Sequence, residues 1–110
     1  MSNVTFEGGV SGIRPVKLTG TGVTDIVAET NRCLVKKVYA TEIAGGVAAF
    51  TLEVYDGTTS YYLMAAKPMT ARSTLEWGDI PLESGWKLRA TASIANNIDV
   101  IAVIVEPGQG

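Results

Sequence analysis

The chain has no histidine, a single cysteine, and no apolar stretch approaching the roughly 18 residues that a membrane-spanning helix requires. Without histidine, the Ser-His-Asp and Cys-His nucleophile arrangements and the usual His-based zinc sites cannot be built. The lone Cys33 has no partner for an internal disulfide and opens a strand-like run. It reads as a small buried hydrophobe rather than a nucleophile. Charge is also scarce. Charged residues make up 18% of the chain, where about a quarter is usual, and the shortfall favours contact surfaces. Nine basic and eleven acidic residues are scattered singly, so no basic stripe exists to neutralise a phosphate backbone and direct nucleic-acid binding is not expected. The N-terminus lacks the charged-then-apolar layout of a signal peptide. The expectation is a soluble protein made in a cytoplasm, with no membrane partner.

What the chain does have is 46% apolar residues in a length of 110, too apolar for disorder and enough for one domain that buries about two thirds of its unfolded surface. Its segments rich in Val, Ile, Thr, Tyr and Phe are short, recur at short intervals and never hold a 3.6-residue period over three turns. Strands are predicted at Pro15 to Thr19, Thr24 to Ala28, Arg32 to Thr41, Val47 to Tyr55, Ser60 to Ala66, Ser73 to Trp77, Trp86 to Ser93 and Ile98 to Glu106. Eight short strands point to an all-β fold, a single antiparallel sandwich of jelly-roll type. Residues 1–14 contain three glycines and little periodic apolar content, and read as a flexible N-terminal arm; 15–106 form the domain and 107–110 a plain tail.

Turn residues supply the local connections. Asp56-Gly57 provides the backbone freedom for a hairpin between the strands ending at Tyr55 and starting at Ser60. Asn96-Asn97 is a second turn signal and is expected to join the last two strands as an antiparallel pair. Gly45-Gly46 separates two further strands. Pro81 lacks the amide proton of a central ladder, so 78–85 reads as edge or loop. Alternation places Phe50, Leu52 and Val54 in one core row and Trp86, Leu88, Ala90 and Ala92 in another.

Chemistry is hard to find. The nearest acidic pairs, Glu53 with Asp56, Glu76 with Asp79, and Asp79 with Glu83, read as solvated turn and rim charges rather than a catalytic pair. Gly20-Thr21-Gly22 lacks the lysine of a phosphate loop and the third glycine of a dinucleotide site, and Asp56-Gly57 does not continue into a calcium loop. Asn3-Val4-Thr5 fits a glycosylation sequon without a secretion signal, and reads as coincidence. No catalytic residue, metal site or cofactor is expected. The aromatics Tyr55, Tyr61, Tyr62, Trp77 and Trp86 read first as core and rim; if any is an exposed contact, Tyr62 and Trp77 are the choice, read as out of step with the apolar rows of Leu63 and Leu75.

The last strand differs from the others. Ile98, Val100, Ala102 and Ile104 line one of its faces, while Ile101, Val103 and Val105 line the other, so it has two apolar surfaces to bury and a sandwich offers one. The second row is expected to meet a loop, an arm or another copy of the chain; in an assembly of copies, Ile101, Val103 and Val105 face the neighbouring subunit and Val4, Phe6, Val10 and Ile13 of the arm add contacts.

Several segments carry a family likeness: Val16-Lys17-Leu18-Thr19-Gly20 followed by Thr24-Asp25-Ile26-Val27; Cys33 to Thr41 with its Ala/Gly-rich bend; Ala49 to Gly57; Ser73 to Trp77; and the closing pair Trp86 to Ser93 and Asn97 to Val100. Over residues 15–106 this layout resembles the small β-sandwich virion proteins of tailed bacteriophages, which serve as capsid decoration (cement) proteins or in neck and tail assemblies. The resemblance implies a non-enzymatic virion protein, a homo-oligomer with a trimer favoured, whose partners are its own copies and the major capsid protein or other virion proteins. A ring-forming neck or tail component is the alternative within that family. A carbohydrate-binding module using Tyr62 or Trp77 is the alternative outside it.

Overall fold

The computed structural model describes the backbone of Thr5–Phe6 and Gly9–Pro107 and the side chains of residues 12–106. Nine strands are described: β1 (Thr5–Phe6), β2 (Gly9–Leu18), β3 (Thr24–Val27), β4 (Cys33–Glu42), β5 (Ala48–Tyr55), β6 (Ser60–Met69), β7 (Thr74–Leu82), β8 (Lys87–Ala92) and β9 (Ile98–Pro107). They form a five-stranded sheet, β1-β2-β9-β4-β7, and a four-stranded sheet, β3-β8-β5-β6. Every pairing is antiparallel. From β2 onward the chain passes from one sheet to the other at each connection except β5 to β6, which is the double-sheet jelly roll expected from the sequence. No helix of the described residues is long and apolar enough to cross a membrane.

The alternating rows meet between the sheets. Phe50, Leu52 and Val54 of β5, Leu88, Ala90 and Ala92 of β8, and Ile98, Val100, Ala102 and Ile104 of β9 are all buried, and Trp86 packs half-buried against them. Burying each large aliphatic or aromatic side chain here contributes about 1.5–3 kcal/mol. Cys33 also lies in this core, where burial pushes its thiol pKa up.

The β5–β6 hairpin forms as expected: the carboxylate of Asp56 accepts the amides of Thr58 and Thr59 at 2.8 and 2.7 Å, and Gly57 takes a φ of 102°. Asn96 is left-handed too, with φ 64°. Its turn does not make a hairpin, however, because β8 pairs with β3 and β5 while β9 pairs with β2 and β4. The Asn turn reverses the chain across the sandwich, where the apolar inner faces of the two strands meet.

Two further boundaries differ. β2 begins at Gly9, so the backbone of residues 9–14, assigned by sequence to an arm, pairs with β9. β7 runs through Pro81, which is tolerated because β7 bonds only to β4 and lies at the sheet edge. A Cβ on Gly78 of that strand would stand 2.9 Å from the carbonyl oxygen of Lys36, so glycine is needed where β4 bulges toward it. The edge strands β6 and β7 also share a device. In each, a residue with left-handed φ (Ala66, 48°; Asp79, 55°) stands two positions before a proline, Pro68 or Pro81. Kinks and prolines of this kind discourage edge-to-edge pairing with another chain.

Candidate assembly surface

β9 is central in its sheet, and its outward row is the one the sequence singled out. Ile101 is 42% exposed, and Val103 and Val105 are half-buried. Register supplies their neighbours. Pro15 of β2 and Tyr39 of β4 flank Ile101; Ile13 and Lys37 flank Val103; Leu34 stands beside Val105. Ile13 is 63% exposed and Tyr39 36%, so the apolar ground extends across three strands. Its borders are charged but balanced: Lys17 reaches Asp99 at 2.6 Å, and Lys37 reaches Glu76 at 3.4 Å. Beside the first pair, at the β2–β9 seam, Pro15 and Ile101 help line an open depression of about 330 Å³.

Of the arm residues expected to contribute, Ile13 joins this surface. The backbones of Phe6 and Val10 lie in β1 and β2, and Val4 lies outside the described residues. Sequence reasoning missed Tyr39, although alternation within 33–42 sets it on the same outward row as Lys37 and Thr41.

The aromatics do not make a second platform. Tyr62 is 62% exposed and stands beside Glu53 on the outside of the four-stranded sheet. Trp77 is 39% exposed but pairs with Val38 on the inward side of edge strand β7, the side it shares with Leu75. Residues two apart in a strand face the same way, which corrects the expectation that Trp77 is out of step with Leu75. Tyr61 is exposed as well, at the inward register of β6.

Two of the acidic residues considered for chemistry, Glu53 and Asp56, are held structurally, which corrects the expectation that Glu53 is a solvated charge. Glu53 is buried, and its Oε2 accepts Arg89 Nε and Nη2 at 3.0 and 2.6 Å and the Ser60 hydroxyl at 2.6 Å. Asp56 fastens its turn, and the amides of Thr59 and Thr58 hold its carboxyl below the ordinary range. Glu42, fully buried, accepts the backbone N–H groups of Arg72, Gly45 and Ala44 at 3.0, 2.9 and 3.1 Å. A third acidic group closes the opposite end of the sandwich: Arg14 Nε donates to Glu29 at 3.1 Å, and the neighbouring Glu29 carboxyl pushes that of Glu106 above its ordinary range. Among the described residues no cluster of three or more His, Cys, Asp or Glu side chains is arranged to hold a metal ion.

No protein-family model matches the chain, and no curated protein matches its sequence. Among solved structures it is similar to a chain of infectious bursal disease virus, Gx strain, at 10% identity and TM-score 0.51 over 91% of this chain and 34% of that one. It is also similar to Eiger TNF from S. frugiperda, at 9% identity and TM-score 0.52 over 94% and 96%. A pentameric capsid protein from metagenomic phage sequences matches at 20% identity and TM-score 0.42 over 86% and 59%. The chain thus spans about a third of the bursal disease virus chain and three fifths of the phage chain. With the first two, at such low identity, what is shared is the fold.

Proposed function

We propose that this chain is a non-enzymatic structural subunit of a virus particle, of the capsid decoration type, which associates with copies of itself through the outer face of β2, β9 and β4. The observation that carries the reading is the outward row Ile101, Val103 and Val105 on a central strand, broadened by Ile13, Pro15 and Tyr39. Apolar ground of this kind marks contact surfaces. A second copy is the occupant the charges favour. Lys17 with Asp99 and Lys37 with Glu76 neutralise each other within the face, so it presents no net charge there to repel a neighbouring copy. The molecule measures 46 × 36 × 19 Å, and a sheet face of that slab has room for the roughly 800 Å² per partner that a stable interface uses.

The virion assignment rests on the jelly roll, a fold that viral capsid domains use widely, and on the sequence resemblance to small phage virion proteins. In that role a trimer on a local threefold axis would clamp neighbouring capsomers of the major capsid protein and strengthen the shell by mass action. Light scattering coupled to size exclusion, at several concentrations, tests the reading. A stable trimer supports it, a larger closed ring moves the chain to a neck or tail assembly, and a monomer at every concentration overturns self-association through this face.

A further inference from the structure

A second surface is the outer face of the four-stranded sheet, on the opposite side of the sandwich from the outward row of β9. Register fixes its central row: Tyr62 of β6, Glu53 of β5 and Arg89 of β8 stand beside one another across three strands. Ser60, Tyr55 and Lys87 form the next row, and Thr51 with Thr91 continues the face on the other side.

The polar pair at the centre of this face has hydrogen-bonding capacity left over. Every donor that buried Glu53 receives goes to one oxygen: Oε2 accepts Arg89 Nε, Arg89 Nη2 and the Ser60 hydroxyl. Glu53 Oε1 accepts nothing from the described residues, and Arg89 Nη1 donates to none of them. No buried side-chain nitrogen or oxygen among the described residues lacks a partner, so both atoms reach solvent. Both are also held in place. Nη2 donates to Ser60 at 2.9 Å, and the guanidinium lies 3.8 Å from the centre of the Tyr55 ring. A fixed acceptor and a fixed donor therefore open onto the face, and the Tyr62 ring, 62% exposed, stands beside the acceptor.

We propose that this face binds a neutral saccharide, with a sugar ring laid on Tyr62 and its hydroxyls donating to Glu53 Oε1 and accepting from Arg89 Nη1. The chemistry of the face selects that class. Its charges are already paired, Glu53 with Arg89 and Asp25 with Lys87 at 3.1 Å, so it offers no net charge to a phosphate backbone or an anionic lipid surface. Tyr62 is the one large apolar side chain exposed on these rows among the described residues, whereas a protein partner is held through a cluster of buried anchors. A pyranose matches what remains. It has an apolar C–H face for the aromatic ring, and hydroxyls at its rim that each donate and accept. Polar groups already fixed by the protein lose little freedom on binding, which favours a small ligand. Trp77, on the inward side of the other sheet, takes no part, and the site does not depend on self-association through the β9 face.

The test probes a printed array of neutral hexose, pentose and N-acetylhexosamine oligosaccharides, with sialylated and sulfated glycans beside them, using the purified full chain. Neutral saccharides should bind, and a chemical-shift titration with the strongest of them should show affinity falling about tenfold on Tyr62→Ala. Tyr62→Phe, which keeps the ring, should stay within about twofold of the wild type. Glu53→Gln, which sets an amide where the outward acceptor stood, should also lose about tenfold, and Ile101→Asp on the opposite face should change nothing. Glu53→Gln also weakens the bond to Arg89, so its thermal midpoint is measured alongside; if it is unfolded at the assay temperature, the two Tyr62 variants decide. Silence toward every neutral saccharide, binding confined to sialylated or sulfated glycans, or binding that survives Tyr62→Ala would each overturn the proposal.

Discussion

Arg89 and Glu53 face each other in register across β8 and β5, joined by two hydrogen bonds to one carboxylate oxygen, with the guanidinium 3.8 Å above the ring of Tyr55. The pair lies on the outer face of the four-stranded sheet, yet its side chains are only 19% and 6% exposed. Ser60 of β6 donates to the same oxygen and accepts from Arg89, so three strands are tied at one point. Removing the cation leaves a largely buried carboxylate with one hydroxyl donor. Arg89→Met should therefore cost about 2–3 kcal/mol, near the lower bound for breaking a buried pair because water can re-enter from the sheet face. Replacing Glu53 and Arg89 together with apolar residues should cost less than the two single losses combined. Urea unfolding of the two single variants, the double variant and the wild type measures the coupling, and additive losses would deny the pair its buried character.

Glu42 predicts an acid sensitivity. Its carboxyl is held below the ordinary carboxylate range, first by the backbone N–H of Arg72 and further by Gly45, Gly46 and Ala44, against the opposing effect of burial. A folded pKa below the unfolded one adds stability at pH values above the unfolded pKa and loses it as pH falls through the folded value. The wild type should lose thermal midpoint in acid. Glu42→Gln, which turns an amide N–H toward donors, should lower the midpoint at neutral pH and flatten its decline in acid. Parallel midpoint-against-pH curves for the two proteins would show that Glu42 does not contribute.

Glu106 predicts the reverse. Its hydrogen bond with Glu29 is the main cause that raises its pKa, with burial and the Glu29 charge adding, whereas Glu29 is lowered chiefly by its hydrogen bond from Arg14. A raised acid stabilises the fold below its unfolded pKa and forfeits that as pH rises through the folded value. Glu106→Gln keeps a donor toward Glu29 and never ionises. It should be more stable than the wild type at neutral pH and indistinguishable from it once both carboxyls are protonated. Calorimetry at neutral and acid pH checks the crossover.

What could be read from the sequence follows the range of the forces involved. Strand rows such as Phe50, Leu52 and Val54 are legible because alternation is local, and the Asp56 turn because its hydrogen bonds span three residues. Glu53 is not legible as a buried charge, since Arg89 lies 36 residues away, and the local amides of Ala44 and Gly45 do not by themselves mark Glu42 as buried, since the Arg72 N–H that completes its set lies 30 residues away. The Asn96 turn shows the boundary between the two cases. Asn accounts for the left-handed φ, but whether β9 pairs with β8 or packs behind it is decided by β2 and β4, distant strands that occupy both of its edges. The outward row of β9 was readable because a two-sided apolar strand is visible in the chain itself, whereas Tyr39, set among Lys37 and Thr41, was concealed by polar neighbours.

That row gives the remaining prediction, which turns on the contrast between the outer and inner faces of β9. Ile104 is 1% exposed in the core, and Ile104→Ala should cost about 2–5 kcal/mol through lost burial and the cavity left behind. Ile101, flanked by Pro15 and Tyr39 on the outer face, has water on one side of it in the free chain. Ile101→Asp should leave the unfolding midpoint of the isolated domain within about 0.5 kcal/mol of the wild type, as surface changes usually do. In an assembly through this face, however, the same carboxylate would be desolvated opposite a second copy, so the oligomer should dissociate. Val103→Asp should behave likewise, with Lys37 beside it in register as a ready counter-ion. Light-scattering masses and denaturation curves on the same samples separate the outcomes: unchanged mass with both variants folded would remove this face from the interface, and unfolding of Val103→Asp alone would assign Val103 to the core.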